Sequence, residues 1–211
     1  AKNFFRILKD YDYTKYDYIS LCDQDDIWMQ EKLSNSINLL KSSNFHVYSS
    51  NVTAFWENKN VLINTKKSVI QKKYDYLFEA AGPGCTYVMK NTFFSDLINF
   101  LKNNDTSKID RHDWFFYAYA RFNNYKWYID KSSYCFYRQH KKNSVGINYG
   151  IPSYFNRVKQ FTNGYWFEQS KCIIRILDIK NPVSNIIVSY KKNVYLLKLL
   201  LKSYQCRRDF G

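Results

Sequence analysis

The chain has 211 residues, 45% of them hydrophobic and 19% aromatic, with 20 Tyr, 16 Phe and 5 Trp. That content supports a packed core, and 6 Gly with 3 Pro exclude collagen-like or Pro-rich linker character. At roughly 150 residues per domain, the length fits one domain with an appendage. Lys plus Arg is 32 against 18 Asp plus Glu, a net charge of +14 that favours anionic partners. Lys, Asn, Ile, Tyr and Phe are also the residues an AT-rich coding sequence favours, so charge alone selects no partner. The basic residues are dispersed and no nucleic-acid motif occurs, so no nucleic acid is expected among the partners. No run of about 18 apolar residues appears, so no ordinary transmembrane helix is expected. The five cysteines, Cys22, Cys85, Cys135, Cys172 and Cys206, are odd in number and include no CxxC pair. This predicts neither a disulfide framework nor a structural zinc site, and fits a reducing compartment.

Residues 1–8 read as an amphipathic helix with Phe4, Phe5 and Leu8 on one face, ending in the polar stretch 10–15. The chain opens inside that pattern and finishes at residues 206–211 without a stop signal, so a fragment of a longer protein is expected. Residues 16–22 (YDYISLC) read as a buried strand that runs into Asp23-Gln24-Asp25-Asp26. Residues 31–40 follow with helical spacing of Leu33, Ile37 and Leu40. Strand, acidic loop and helix form the α/β pattern in which ligands bind beyond the carboxyl ends of strands. A strand is expected over 45–56, with 61–63 as its hairpin partner, and a short helix over 74–80. The turn-rich residues 81–86 feed a strand at 86–89, and a helix over 91–101 has Asn91 at its N-cap. Another helix starts at 111–114 and runs to 122, followed by strands at 125–129 and 133–137.

From Pro152 onward the pattern is helical, with a break at Asn181-Pro182. At the C-terminus Ile186, Tyr190, Val194, Leu197 and Leu201 share one face, beside a stripe of Lys191, Lys198 and Lys202. Such a helix either lies on an anionic membrane or caps its own domain with a solvated lysine edge.

The acidic cluster is the strongest chemical signal. Three carboxylates within four positions after a buried strand suit a hard divalent cation, Mg²⁺ or Mn²⁺, that bridges carboxylates to substrate phosphates. A solvated turn with an Asp cap for the next helix is the duller alternative, and spacing alone does not separate the two. Residues 18–33 (YISLCDQDDIWMQEKL) closely resemble the Asp-x-Asp segment of family 2 glycosyltransferases of the GT-A fold, most of all a rhamnosyltransferase-like branch. Gly84-Cys85-Thr86 resembles the acceptor-side turn of that branch, and His112-Asp113-Trp114 its catalytic His-Asp-Trp. Tyr137-Arg138-Gln139-His140 with Asn143, Val145 and Gly146 resembles its closing motif. These stretches occur in the family's order and span most of residues 1–146.

The resemblance implies an α/β fold with a mixed GT-A sheet, residues 1–150 forming its metal and acceptor half and 151–211 a helical C-terminal extension. It implies that the nucleotide-binding strands lie upstream, at least two βαβ units of about 30 residues. Met29-Gln30 stands where the branch often has Leu-Pro. By the same resemblance Asp23 and Asp25, with His140, hold the metal, and Asp23, Asp25, Arg138 and His140 bind the diphosphate of a sugar nucleotide. Asp113 is the general base for an inverting transfer. Trp28, Gly84, Cys85, Thr86, His112, Trp114 and Gln139 contact substrate.

The implied partners are a nucleotide-diphosphate sugar, with dTDP-rhamnose suggested, and a saccharide or lipid-linked acceptor. The setting is the cytoplasmic face of the plasma membrane, with peripheral contact to anionic lipid. The other function considered is an inactive remnant serving as an interaction subunit. Without the resemblance, Asp113 serves a helix dipole equally well. On that plainer reading His112 and His140 are ordinary satisfied histidines, Trp28 and Trp114 core residues, Arg138 part of an ion pair and Cys85 a small buried hydrophobe.

Overall fold

A computed structural model describes residues 2–140, 143, 146, 147, 155, 159, 160, 162–189 and 198–208. Helix α1 (Lys2–Asp10) buries Phe5 and Leu8, and strand β1 (Tyr18–Ser20) leads into the acidic loop. Strand β2 (Ile27–Trp28), helix α2 (Lys32–Ser42) and the hairpin β3 (Val47–Trp56) with β4 (Lys59–Thr65) follow. Two 3₁₀ turns, Asp75–Leu77 and Gly84–Thr86, precede β5 (Val88–Lys90), α3 (Asn91–Asn103), α4 (His112–Phe122) and β6 (Trp127–Arg138). The described C-terminal helices are α5 (Tyr165–Ile176), α6 (Pro182–Ser189) and α7 (Ser203–Cys206).

The sheet runs β1-β5-β3-β6-β2, with β4 extending from β3. Only β3 and β6 pair in parallel; the other pairs are antiparallel. The two-residue period of a strand sorts its side chains between two layers. Val47, Met89 and Trp127 join the large core with α1, α3, α4, α5 and α6. Their chain neighbours Tyr48, Val88 and Tyr128 face the other way, toward Leu40 and Ile37 of α2. The result is a mixed α/β sandwich with helices on both faces of one sheet. Phe167, Ile173, Ile174, Val183 and Ile187 of the C-terminal helices share the large core and have no separate one. No helix among the described residues is long and apolar enough to cross a membrane.

Several local expectations are corrected. The two strands expected over 125–137 are one strand, β6, whose register against β3 jumps between Asp130 and Ser133. Lys131 and Ser132 bulge outward there, and Asp130 Oδ1 accepts the Ser132 N–H while Oδ2 takes the Tyr48 hydroxyl. Helix α2 packs through Ile37 and Leu40 as its spacing suggests, but Leu33 is 39% exposed and Lys32 and Ser36 turn inward beside them. Asn91 is the first helical residue of α3, not its cap, and its amide donates to the carbonyls of Tyr13 and Tyr16. The helix expected over 74–80 is a single 3₁₀ turn. Asn181 does break the C-terminal helices, because its Oδ1 accepts the Val183 and Ser184 N–H groups and caps α6. In the proposed membrane stripe, Tyr190, Lys191, Val194 and Leu197 lie outside the described residues, as does Val145 of the closing motif.

Candidate active site

Past β1 the chain folds back on itself, the Asp26 N–H donating to the Asp23 carbonyl at 3.4 Å. This turn bunches the three aspartates. Burial, then the charges of Asp26, Asp25 and Asp113, push the Asp23 carboxyl up to about 6. Asp23 thus lies within electrostatic reach of Asp113, ninety positions along the chain, on the first turn of α4.

The end of β6 closes the other side. His140 Nε2 meets Asp25 Oδ2 at 2.7 Å, and Arg138 Nε donates to the Asp25 carbonyl at 2.8 Å. The Arg138 backbone N–H donates to Asp26 Oδ1 at 3.2 Å, and its guanidinium pairs with Glu57. Gln139 faces inward: its Oε1 accepts the Ile147 N–H at 2.9 Å and its Nε2 donates to the Arg138 carbonyl. Asn143 binds the strand end, accepting the His140 N–H and donating to the Arg138 carbonyl, both at 2.8 Å. These bonds of Gln139 and Asn143 fix Arg138 and His140 against the acidic loop.

His112 stacks on Phe4, with ring centroids 4.1 Å apart, and burial lowers its pKa, so the imidazole is neutral at neutral pH. Gly84 makes that placement possible, since a Cβ there would stand 2.6 Å from His112 Nε2. Asp113 is half-buried and its Oδ1 accepts the Trp114 N–H at 2.8 Å. Other sequence candidates turn away from this opening. Trp114 is 1% exposed and its indole N–H donates to the Tyr76 carbonyl. The Thr86 hydroxyl, fully buried, donates to the Pro83 carbonyl. Cys85 lies with Val52 and Cys135 in a small apolar cluster, packed against Trp28 and Tyr137. Trp114, Thr86 and Cys85 support the site from beneath, with their polar atoms turned inward.

Asp25 offers a carboxylate oxygen beside the His140 ring. Among the described residues the ligand atoms that lie within 4.8 Å of one another are those of Asp26, Cys85 and Cys135, so Asp23, Asp25 and His140 do not form a closed donor set, and the raised Asp23 pKa reports burial first and the neighbouring carboxylates second. The same shift predicts the acid response of the metal-free protein. An Asp whose folded pKa lies near 6 rather than 3.8 takes up a proton on folding between those values, so stability falls as pH rises through that window. Asp23→Asn removes this slope and, after discounting for partial exposure, raises stability at pH 7 by about 1 kcal/mol or less. Melting curves in chelator at several pH values measure both effects.

No protein-family model matches the chain. It is 41% identical over 189 residues to dTDP-rhamnosyl transferase RfbG of Shigella flexneri, an alignment covering 88% of this chain. In sequence, the chain is similar to that rhamnosyl transferase. It spans 64% of that relative's length, less than two thirds.

Several supports of the site were not legible from residue order. Lys32 is 1% exposed, its Nζ lying 3.5 Å from the centre of the Trp28 ring and donating to Ser20 Oγ. Burial lowers its pKa to about 8. Glu57, the partner of Arg138, comes from the β3–β4 hairpin tip, which carries no motif. Phe4 packs against the large core and also forms the stacking surface for His112.

Proposed function

We propose that this chain serves an inverting, metal-dependent glycosyl transfer from a nucleotide-diphosphate sugar to a saccharide or lipid-linked acceptor. The observation that supports the reading is the acidic loop, where Asp25 meets His140 and Arg138 while Asp23 lies within electrostatic reach of Asp113. The dTDP-rhamnosyl transferase named among its relatives supports dTDP-rhamnose as the donor.

Asp113 takes the proton of the acceptor hydroxyl, and that oxygen attacks the anomeric carbon from the face opposite the diphosphate. The bond from that carbon to the diphosphate oxygen breaks as the new glycosidic bond forms, which inverts the centre. Neutral His112, held between Phe4 and the Gly84 turn, orients the acceptor beside Asp113. Asp23 and Asp25, with His140, hold Mg²⁺ or Mn²⁺, which when bound neutralises charge on the leaving diphosphate. Arg138, fixed by Asp25 and Glu57, adds positive charge at the same side. Growth of a cell-envelope polysaccharide at the inner face of the plasma membrane is the setting, and Lys198 and Lys202 of the C-terminal segment suit an anionic lipid surface.

The test is sugar transfer from dTDP-rhamnose with Mg²⁺ or Mn²⁺. Chelator or Asp25→Asn is expected to reduce the rate by about 100-fold or more. Full transfer under both conditions would overturn the metal's role.

A further inference from the structure

Spacing along the chain gives no reason to group the cysteines, yet the fold gathers two of them with Asp26 below the acidic loop. Cys85 comes from the Gly84–Thr86 turn, Cys135 from β6 and Asp26 from the loop itself. One ligand atom from each of these three residues lies within 4.8 Å of the others. The two sulfurs are 4.0 Å apart. With metal–sulfur bonds of about 2.3 Å and tetrahedral angles, two coordinating thiolates stand about 3.8 Å apart, so the pair already has the spacing of a coordination edge.

Asp26 supplies an independent sign. Its Oδ1 accepts the Arg138 N–H, while Oδ2 is shut from solvent and has beside it nothing stronger than the weak thiol donor of Cys85. A buried carboxylate oxygen left this way is costly, and a cation relieves it. Charge also balances. With both thiols protonated, Asp26 and buried Lys32 cancel; a dication that displaces the two thiol protons leaves the total unchanged.

We propose that Asp26, Cys85 and Cys135 bind a thiophilic divalent cation of the Zn²⁺ class, stapling the acidic loop, the Gly84 turn and β6 together. Two sulfurs select against Mg²⁺ and Mn²⁺, so this site is chemically distinct from the oxygen-rich pair Asp23 and Asp25. By fixing Asp26, the ion fixes the loop from which Asp23 and Asp25 project.

The test uses metal alone. Reduced protein stripped with chelator is titrated with Co²⁺, then with Zn²⁺. One equivalent of Co²⁺ is expected to give a near-ultraviolet sulfur-to-cobalt charge-transfer band with tetrahedral ligand-field bands, displaced by Zn²⁺ and not by excess Mg²⁺. Cys85→Ala or Cys135→Ala removes most of the sulfur band and weakens Zn²⁺ binding by about 100-fold or more, while Cys206→Ala, in the large core, leaves both intact. A weak octahedral cobalt spectrum without a sulfur band overturns the proposal, as does a band that survives both substitutions. If the alanine variants fail to fold, the wild-type spectrum decides by itself.

Discussion

Asp113→Asn is expected to lower the turnover of sugar transfer by about 10²–10⁴-fold while leaving donor KM within a few-fold. The substitution is nearly isosteric. Its amide oxygen can still accept the Trp114 N–H that Asp113 Oδ1 takes at 2.8 Å, so the first turn of α4 keeps its geometry. Only the ability to receive a proton is lost. Stability should stay within about 0.5 kcal/mol of the parent, because Asp113 is half-buried and belongs to no core network. A loss spread equally over KM would point to acceptor binding instead. Turnover within twofold of the parent would remove Asp113 from the chemistry.

The largest stability effect is expected far from the aspartate loop, at Asp75. Its side chain is fully buried, and four groups converge on it. Arg121 Nη1 donates to Oδ1 at 2.9 Å, and the Tyr117 hydroxyl donates to Oδ2 at 2.8 Å. The Lys72 N–H donates to Oδ2 at 3.3 Å, and Arg208 Nε stands 3.4 Å from it. Arg208 also pairs with Glu79 and meets the Ala80 carbonyl, so Asp75 anchors the C-terminal residues 203–208 to the centre of the fold. Burial pushes the Asp75 carboxyl up, and the two guanidinium groups and the Tyr117 hydroxyl oppose that shift. Asp75→Ala leaves two guanidinium groups without their shared counter-charge, one of them buried, and is expected to cost about 3–5 kcal/mol. Urea denaturation measures the loss, and limited proteolysis should find residues 203–208 cut first. A loss below about 1 kcal/mol would show that water replaces the carboxylate.

Much of the fold was legible because its elements carry strong periods. Phe5 and Leu8 give α1 its buried face, and Phe93, Phe94, Leu97, Ile98 and Leu101 do the same for α3. The failures have local causes. Polar Asp130, Lys131 and Ser132 read as a turn between strands, although they form a bulge stabilised by bonds to Asp130. Lys32 carries no burial signal in residue order, yet it is buried because the Trp28 ring and Ser20 receive its ammonium group. For the candidate site, residue order named the aspartates, His112, Arg138 and His140 through their motifs. Periodicity had no means of bringing Asp23 near Asp113, since that depends on β1 joining the sheet through β5 while α4 packs against β6. The motifs equally failed to separate lining from support. Trp114, Thr86 and Cys85 belong to recognisable stretches, but their side chains hold the backbone from below.

The most direct test is Mn²⁺ binding, followed by electron paramagnetic resonance of the free ion with and without dTDP. One tight Mn²⁺ site is expected, lost in Asp25→Asn and strengthened by the diphosphate, because Asp23 and Asp25 then share the ion with phosphate oxygens. Mn²⁺ binding that is absent, or that is unchanged by Asp25→Asn and indifferent to dTDP, would contradict the assignment of the acidic loop as the metal centre.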